Sequence, residues 1–157
     1  MSLLRPIWLV EDSDEDVELT LAALQEIHLA NRVVVMRDGS EVLDRLQIPI
    51  EAGCQPAVIL LDIKMPKVSG IEVLRHIKGD PDLKHLPVVM LTSSRQGPDV
   101  TECYNLGANA YVVKPVDFTG FFDAVRTAGK FWAVVNERLE PGSLAEGYDV
   151  NHPAKRI

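Results

Sequence analysis

AVILLD, at residues 57–62, places the carboxylate of Asp62 directly after five apolar residues. An apolar run this short is typical of a strand buried on both faces of a parallel sheet. Three further apolar runs end at polar side chains: 7–10 (IWLV) at Glu11, 88–91 (VVML) at Thr92 and 110–113 (AYVV) at Lys114. If the four runs are parallel strands of one sheet, these side chains meet at its carboxyl edge, where open α/β sheets bind ligands.

Helical patterns separate the apolar runs, and a fifth run, 33–36 (VVVM), completes a β-α alternation repeated five times. The predicted N-caps of four helices are Ser13, Asp38, Ser69 and Asp117. The predicted helix ends are about Ala30, before Pro49, residues 79–81 and about Leu139, and a short helix at 101–106 ends at Gly107. This alternation predicts right-handed crossovers and a parallel sheet covered by helices on both faces.

The bulk composition predicts one globular domain. The chain has 157 residues, of which 46% are hydrophobic and 25% charged. A chain of this length buries roughly 70% of its unfolded surface. We assign residues 1–140 to the domain and 141–157 to a C-terminal tail, either flexible or an arm that reaches a partner.

Charge and patterning exclude several classes of protein. A net charge of −7 argues against nucleic-acid binding, because no basic stripe is available for phosphates. No apolar run approaches the ~20 residues of a membrane span, and the N-terminus lacks a signal-peptide pattern. Cys54 and Cys103 have neither metal nor redox spacing, so we expect two reduced thiols in a cytoplasmic protein.

The acids at the predicted sheet edge indicate a cation site. Glu11, Asp12 and Asp62 would lie close together, and like charges ~4 Å apart repel by about 4 kcal/mol at an effective dielectric near 20. Such a cluster is stable when it holds a cation or keeps one member protonated. All-oxygen ligands with room for water favour Mg²⁺. With Lys114 and Thr92 facing a phosphoryl group, Asp62 is the predicted nucleophile, because it ends the central strand.

Taken singly, each of these residues has an ordinary structural explanation. Asp12 or Asp62 could cap a strand end, Thr92 could be a turn residue, and Lys114 could be a solvated charge. Their coincidence at neighbouring strand ends favours a functional site.

The motifs at these positions resemble the receiver domains of two-component response regulators, the CheY-like family. The matching segments are LVED at 9–12, LD at 61–62 followed by Met65-Pro66 and Gly70, LTS at 91–93, and YVVKP at 111–115. The resemblance covers about residues 5–137. It implies a flavodoxin-like (βα)5 doubly wound parallel sheet with strand order 2-1-3-4-5.

The resemblance also implies a role for each residue of the site. Asp62 would accept a phosphoryl group from a sensor histidine kinase, and Mg²⁺ would be held by Asp12 directly, by Glu11 through water, by Asp62 and by the backbone carbonyl of Lys64. The expected phosphoryl-binding residues are Thr92, Ser93 and Lys114. Lys64 and Ser93 are also expected to tune the lifetime of the phosphoryl group.

A conformational switch is a further implication of the resemblance. Thr92 would move toward the phosphoryl group, and Tyr111 would rotate inward. The surface of the fourth helix, fifth strand and fifth helix would then change shape. The Lys114–Pro115 peptide bond is expected to be cis. The chain would not be an enzyme that turns over external substrates, and we expect only slow self-dephosphorylation.

The fifth helix suggests how the signal leaves the domain. Its apolar residues occupy two faces, more than one core contact requires. We expect a homodimer whose interface includes Phe121, Phe131, Trp132 and Val135, with the tail from Arg138 reaching the partner. The alternative is a broad core face with a disordered tail. The Phe131-Trp132 pair and the long 79–87 connection are similar to regulators paired with bacterial phytochromes, which implies a light-sensing kinase upstream.

Three other functions fit the sequence less well. A flavin carrier would need a phosphate-binding loop after the first strand, but residues 11–16 contain five acids. A phosphatase that forms an aspartyl phosphate usually has a second aspartate two residues after the nucleophile, where this chain has Lys64. A degenerate receiver used as a scaffold is disfavoured because every expected site residue is present. His28, His76, His85 and His152 show no ligand spacing.

Overall fold

The computed structural model describes residues 4–48, 54–115 and 117–136. Five parallel strands form one sheet in the order β2-β1-β3-β4-β5, as predicted. Their bounds are β1 Ile7–Val10, β2 Val33–Met36, β3 Val58–Leu61, β4 Val88–Thr92 and β5 Ala110–Val113. Every strand therefore ends within a residue of its predicted end, because each apolar run stops where the chain reaches the polar sheet edge.

Five α-helices connect and follow the strands. Their bounds are α1 Asp14–Glu26, α2 Gly39–Gln47, α3 Gly70–Gly79, α4 Gly97–Leu106 and α5 Phe118–Lys130, and a π-helical turn covers Phe131–Val135. The four predicted N-caps are confirmed, since each side chain accepts a backbone N–H from the first turn. No helix in the described part of the chain is long and apolar enough to span a membrane.

Three helix bounds differ from the prediction. Helix α1 ends at Glu26, short of Ala30, because His28 adopts a left-handed conformation with φ of 53°. Helix α4 begins at Gly97, before the predicted residue 101, because a proline fits the first turn of a helix. The predicted end of the fifth helix, Leu139, lies outside the described residues.

The core has two layers, one on each face of the sheet. Along β1, Trp8 and Val10 pack with α2 and α3, whereas Ile7 and Leu9 pack with α1 and α5. Phe121 belongs to this second layer and is only 4% exposed. The prediction that Phe121 lies in a dimer interface is therefore wrong, because its ring is buried in its own domain.

The strand register sets the position of the site. Val10 pairs with Leu61, Leu61 with Met90, and Thr92 with Val113. The residues that follow four adjacent strands are therefore brought to the same edge of the sheet. Both faces of the sheet are covered, so this edge is where polar side chains can converge.

Candidate functional site

Three carboxylates meet at the carboxyl edge of the sheet. Glu11 and Asp12 follow β1, Asp62 follows β3, and each offers an oxygen that lies within 4.8 Å of the other two. Glu11 and Asp62 are buried, whereas Asp12 is exposed. The structure thus confirms that these acids converge.

Lys114 brings a positive charge into this cluster from the end of β5. Its Nζ lies 2.5 Å from Glu11 Oε2, 2.7 Å from Asp16 Oδ2 and 3.2 Å from Asp62 Oδ2. Its backbone N–H donates to the carbonyl of Thr92 at 2.7 Å, which fixes the chain as it leaves the sheet. The lysine side chain is 9% exposed, so its charge is largely withdrawn from water and neutralised by these acids.

The cluster shifts the proton affinity of its members. Burial raises the pKa of Glu11 to about 7, with the charge of Asp62 adding to the rise and the hydrogen bond from Lys114 opposing it. Burial works against the charge of Lys114, but hydrogen bonds to Asp16 and Glu11 outweigh it and raise the pKa of that ammonium. The raised pKa of Lys114 keeps its ammonium charged.

Backbone contacts orient the acids. Glu11 Oε1 accepts the N–H of Ser13 at 3.1 Å, and Asp62 Oδ1 accepts the N–H of Ile63 at 2.7 Å. Gly70, at the start of α3, lies against the main chain of Asp62, since a Cβ there would be 1.9 Å from the Asp62 carbonyl oxygen. The glycine of the sequence motif thus allows α3 to approach Asp62 closely.

A hydrogen-bond chain runs from Thr92 to Tyr111 through Ser94. Thr92 is fully buried, and its Oγ1 accepts the N–H of Ser94 at 3.3 Å. The hydroxyl of Tyr111 donates to the carbonyl of Ser94 at 2.9 Å, and Ser94 Oγ donates to Asp99 Oδ2 at 2.5 Å. Tyr111 is half-buried against the α2–α3–α4 side of the core. The two predicted switch residues are therefore linked by one loop residue.

Other predicted site residues lie nearby without such contacts. Lys64 and Ser93 are exposed in the loops after β3 and β4, and their roles stay predictions. The described residues contain no cis peptide bond, so the predicted cis Lys114–Pro115 bond is wrong. The trans isomer is favoured by about 0.5–1 kcal/mol in an X–Pro bond. With this bond trans, the Lys114 side chain contacts the acids of the site.

Two residues of the site, Asp16 and Ser94, were not predicted from the sequence. From the sequence, Asp16 was only one of the five acids of residues 11–16, although it also pairs with Lys114. Ser94 follows the matched segment at 91–93 and had no signal of its own.

The predicted interface residues, in α5 and the π-helical turn after it, differ in exposure. Besides the buried Phe121, Trp132 is half-buried, whereas Phe131 is 46% and Val135 52% exposed. A groove of about 430 Å³ lies between β5 and α5, and Val112, Ala124, Phe131 and Trp132 are among the residues that line it. The apolar surface of the π-helical turn thus continues into an apolar groove.

The acidic cluster fits a hard divalent cation. It is the only group of three or more potential metal-ligating side chains found in residues 4–48, 54–115 and 117–136, and all its ligand atoms are oxygens. Asp12 makes no side-chain hydrogen bond or ion pair with any of these residues, so its carboxylate is available to a cation on the solvent side. Mg²⁺, which binds few carboxylates and keeps several water ligands, suits this arrangement.

The fold and this site define a class of protein. The family model of the response regulator receiver domain matches residues 7–126, and the chain belongs to this family. Its members are signalling proteins whose acidic pocket binds Mg²⁺ or Mn²⁺.

One relative of the chain is a named response regulator from a cyanobacterium. Response regulator Rcp1 of Synechocystis sp. is 38% identical over 80% of this chain and 87% of its own. A structure of the Mn²⁺-bound form of Rcp1 matches with a TM-score of 0.78 at 35% identity, over 85% of this chain and 97% of that chain.

Two further structures come from phytochrome systems. The phosphorylated cyanobacterial phytochrome response regulator RcpA has a TM-score of 0.78 at 36% identity, over 85% of this chain and 96% of that chain. The bacteriophytochrome response regulator AtBRR is 54% identical with a TM-score of 0.64, over 85% of this chain and 99% of that chain.

Proposed function

We propose that this response regulator accepts a phosphoryl group on Asp62 from a sensor histidine kinase, in a reaction that requires Mg²⁺. The observation that carries the proposal is the contact of the buried Asp62 carboxylate with the ammonium of Lys114, 3.2 Å away, beside the acids of β1. A carboxylate attacks an anionic phosphoryl donor only when positive charge offsets the repulsion. This edge of the sheet supplies it.

The transfer exchanges one bond to phosphorus for another. An oxygen of Asp62 attacks the phosphorus atom of a phosphohistidine, and the O–P bond forms as the N–P bond breaks. The bonding electron pair stays on the imidazole nitrogen, which takes up a proton, and the product is an acyl phosphate. Lys114 would pair with a phosphoryl oxygen, while Thr92 and Ser93 lie on the neighbouring strand end and loop. This proposed function does not include the turnover of external substrates.

Glu11, Asp12 and Asp62 would hold the cation, together with the backbone carbonyl of Lys64. Bound Mg²⁺ would supply positive charge to the transferring phosphoryl group. The exposed position of Asp12 leaves one side of the cluster open, and the incoming phosphoryl group can approach there.

The proposed output is a shift of the α4–β5–α5 surface. If the Thr92 hydroxyl turns toward a phosphoryl oxygen, it gives up the N–H of Ser94, whose carbonyl holds the Tyr111 hydroxyl. The loop before α4 and the Tyr111 ring would then move together. Phosphorylation would thereby select one of two arrangements of this surface.

The upstream partner we propose is a bacteriophytochrome kinase, located with this regulator in the cytoplasm. Support comes from AtBRR and RcpA, whose names describe them as phytochrome response regulators. A homodimer formed by the exposed side of Phe131–Val135, with Trp132 and the groove beside β5, would carry the signal onward. The tail at 141–157, which lies outside the described residues, is the proposed dimer arm.

Phosphorylation of purified protein tests the site. Incubation with a phosphorylated histidine kinase and Mg²⁺, followed by borohydride reduction and peptide mapping, should label Asp62. The Asp62→Asn variant should incorporate no phosphate, and Asp12→Ala should incorporate it far more slowly. Asp44→Asn removes an equal charge from the exposed face of α2 and should behave as wild type. Rapid labelling of Asp62→Asn would refute the proposal.

A further inference from the structure

One partner of Lys114 stands apart from the metal-binding acids. The ammonium lies 2.7 Å from Asp16, closer than its 3.2 Å contact with Asp62. With Glu11 at 2.5 Å, these three carboxylates use all three hydrogens that an ammonium can donate. Any new acceptor must therefore displace one of them.

Asp16 is rigidly placed. Its N–H donates to Ser13 Oγ at 3.3 Å and its carbonyl accepts the Thr20 hydroxyl at 2.6 Å, so the backbone is fixed in the first turn of α1. Its side chain is 30% exposed. Its oxygens are not among the cluster of Glu11, Asp12 and Asp62 ligand atoms. Asp16 can thus hold Lys114 without serving as a metal ligand.

A divalent cation at the cluster changes the partners available to Lys114. Glu11 and Asp62 each accept a hydrogen bond from the ammonium and each also offers an oxygen to the acidic cluster, so a cation there would compete with Lys114 for them. An ammonium and a dication within a few ångströms repel each other. Of the three contacts of Lys114, only the contact to Asp16 involves an acid outside this cluster.

We propose that Asp16 is a positioning residue that retains the Lys114 ammonium at the rim of the site when a divalent cation takes over Glu11 and Asp62. This inference deepens the proposed function and rests on it. Without Asp16, the lysine would swing into solvent once the cation binds. With Asp16, it stays within reach of a phosphoryl group on Asp62.

Trace acetylation with acetic anhydride, mapped by mass spectrometry, measures the position of Lys114 directly. In saturating Mg²⁺, Lys114 of Asp16→Asn should be acetylated at least about tenfold faster than in wild type, the ratio expected when one charge-assisted hydrogen bond is lost. Asp16→Glu should restore part of the protection. Asp14→Asn is the matched control, since it removes the same charge from the same helical turn but its partner is Arg37.

The metal-free reactions separate a positioning role from a structural one. Without Mg²⁺, Lys114 of Asp16→Asn should stay protected by Glu11 and Asp62. Equal acetylation of Lys114 in wild type and Asp16→Asn in Mg²⁺ would overturn the inference and leave the proposed function intact. Loss of protection of Lys114 in Asp16→Asn both with and without Mg²⁺ would have the same meaning. If calorimetry finds no binding of Mg²⁺ to the wild-type protein, the proposed function and this inference fall together.

Discussion

Gly70 occupies a position that admits no side chain. A Cβ at this residue would lie 1.9 Å from the carbonyl oxygen of Asp62 and 2.9 Å from Cα of Ile63. Because both neighbours are main-chain atoms, the strand end or the helix must move. We predict that Gly70→Ala lowers the free energy of unfolding by about 3 kcal/mol, the upper part of the range for overpacking. Urea denaturation measures the change.

The same substitution elsewhere in α3 provides the control for Gly70→Ala. A Cβ at Gly79 would meet no atom within 4 Å. Gly79→Ala should therefore be neutral or stabilise the protein by up to about 1 kcal/mol. Equal effects of the two substitutions would mean that helix propensity, and not the contact with Asp62, explains the glycine.

Individual residues differ in how far the sequence predicts them. Asp62 and Lys114 were found because each directly follows an apolar run, and parallel strands in register must bring such residues together. Asp16 and Ser94 could not be assigned in this way, because their contacts depend on the direction of side chains between separate elements. The bond before Pro115 and the burial of Phe121 were inferred wrongly, since isomer and orientation are set by three-dimensional packing.

At the scale of elements, Lys78 joins three segments of the fold. Its Nζ donates to the carbonyls of Lys84 and Leu86 and to Asn109 Oδ1, at 3.0, 2.7 and 2.9 Å. The lysine thus connects the last turn of α3 with the loop before β4 and the residue before β5. Lys78→Met removes the ammonium donor from the carbonyls of Lys84 and Leu86, whereas Asn109 Oδ1 still accepts the N–H of Val88 at 2.9 Å.

We predict that Lys78→Met lowers the free energy of unfolding by about 1–3 kcal/mol, the cost of leaving hydrogen-bonding groups unsatisfied. Thermal or urea unfolding gives the value. Lys84→Met removes the same charge from an exposed side chain and should have an effect below about 0.5 kcal/mol. A similar loss in both variants would show that charge alone is responsible.

Helix α4 is held by few buried side chains. Of the residues of α4, Cys103 alone is buried. Burial also raises the pKa of its thiol to about 11. We predict that iodoacetamide at pH 8 alkylates the exposed Cys54 readily and Cys103 only when α4 opens, because both access and thiolate are lacking in the closed state.

Phosphorylation should change the alkylation rate of Cys103 if it moves α4, and Cys54 in the same molecule is the internal reference. Peptide mapping over time gives both rates. Alkylation of Cys103 as fast as that of Cys54 in the unmodified protein would contradict the packing of α4.

Element boundaries show where sequence patterns stop being informative. Strand ends were predicted to within a residue, because apolar runs end sharply at the sheet edge. The end of α1 depends on the left-handed turn at His28, and the start of α4 on a first turn that contains a proline and has no side-chain cap. Neither feature alters hydrophobic periodicity, so neither was predicted.

At the scale of the whole molecule, dimerisation must overcome the electrostatic repulsion between two acidic chains. Each chain carries a net charge of −7, so two copies repel until salt screens them. We predict a concentration-dependent dimer in light scattering at tens of micromolar that tightens as salt is raised. Val135→Asp should weaken it, because Val135 is exposed on the proposed interface.

Ile48→Asp is the matched control, since Ile48 is an exposed apolar residue that follows α2, away from α5. Its dimerisation should equal that of wild type. A wild-type monomer at every concentration and salt level, with or without phosphorylation, would end the dimer proposal.

The ammonium of Lys114 also has a consequence for the stability of the protein as a whole. Many small metalloproteins unfold when a chelator strips their ion. Here a built-in counter-ion already neutralises part of the acidic pocket, so EDTA should empty the pocket and barely change the melting temperature. The protein can then stay folded while the metal ion binds and dissociates. The concentration of the ion would control whether the protein can be phosphorylated and would have little effect on whether it is folded.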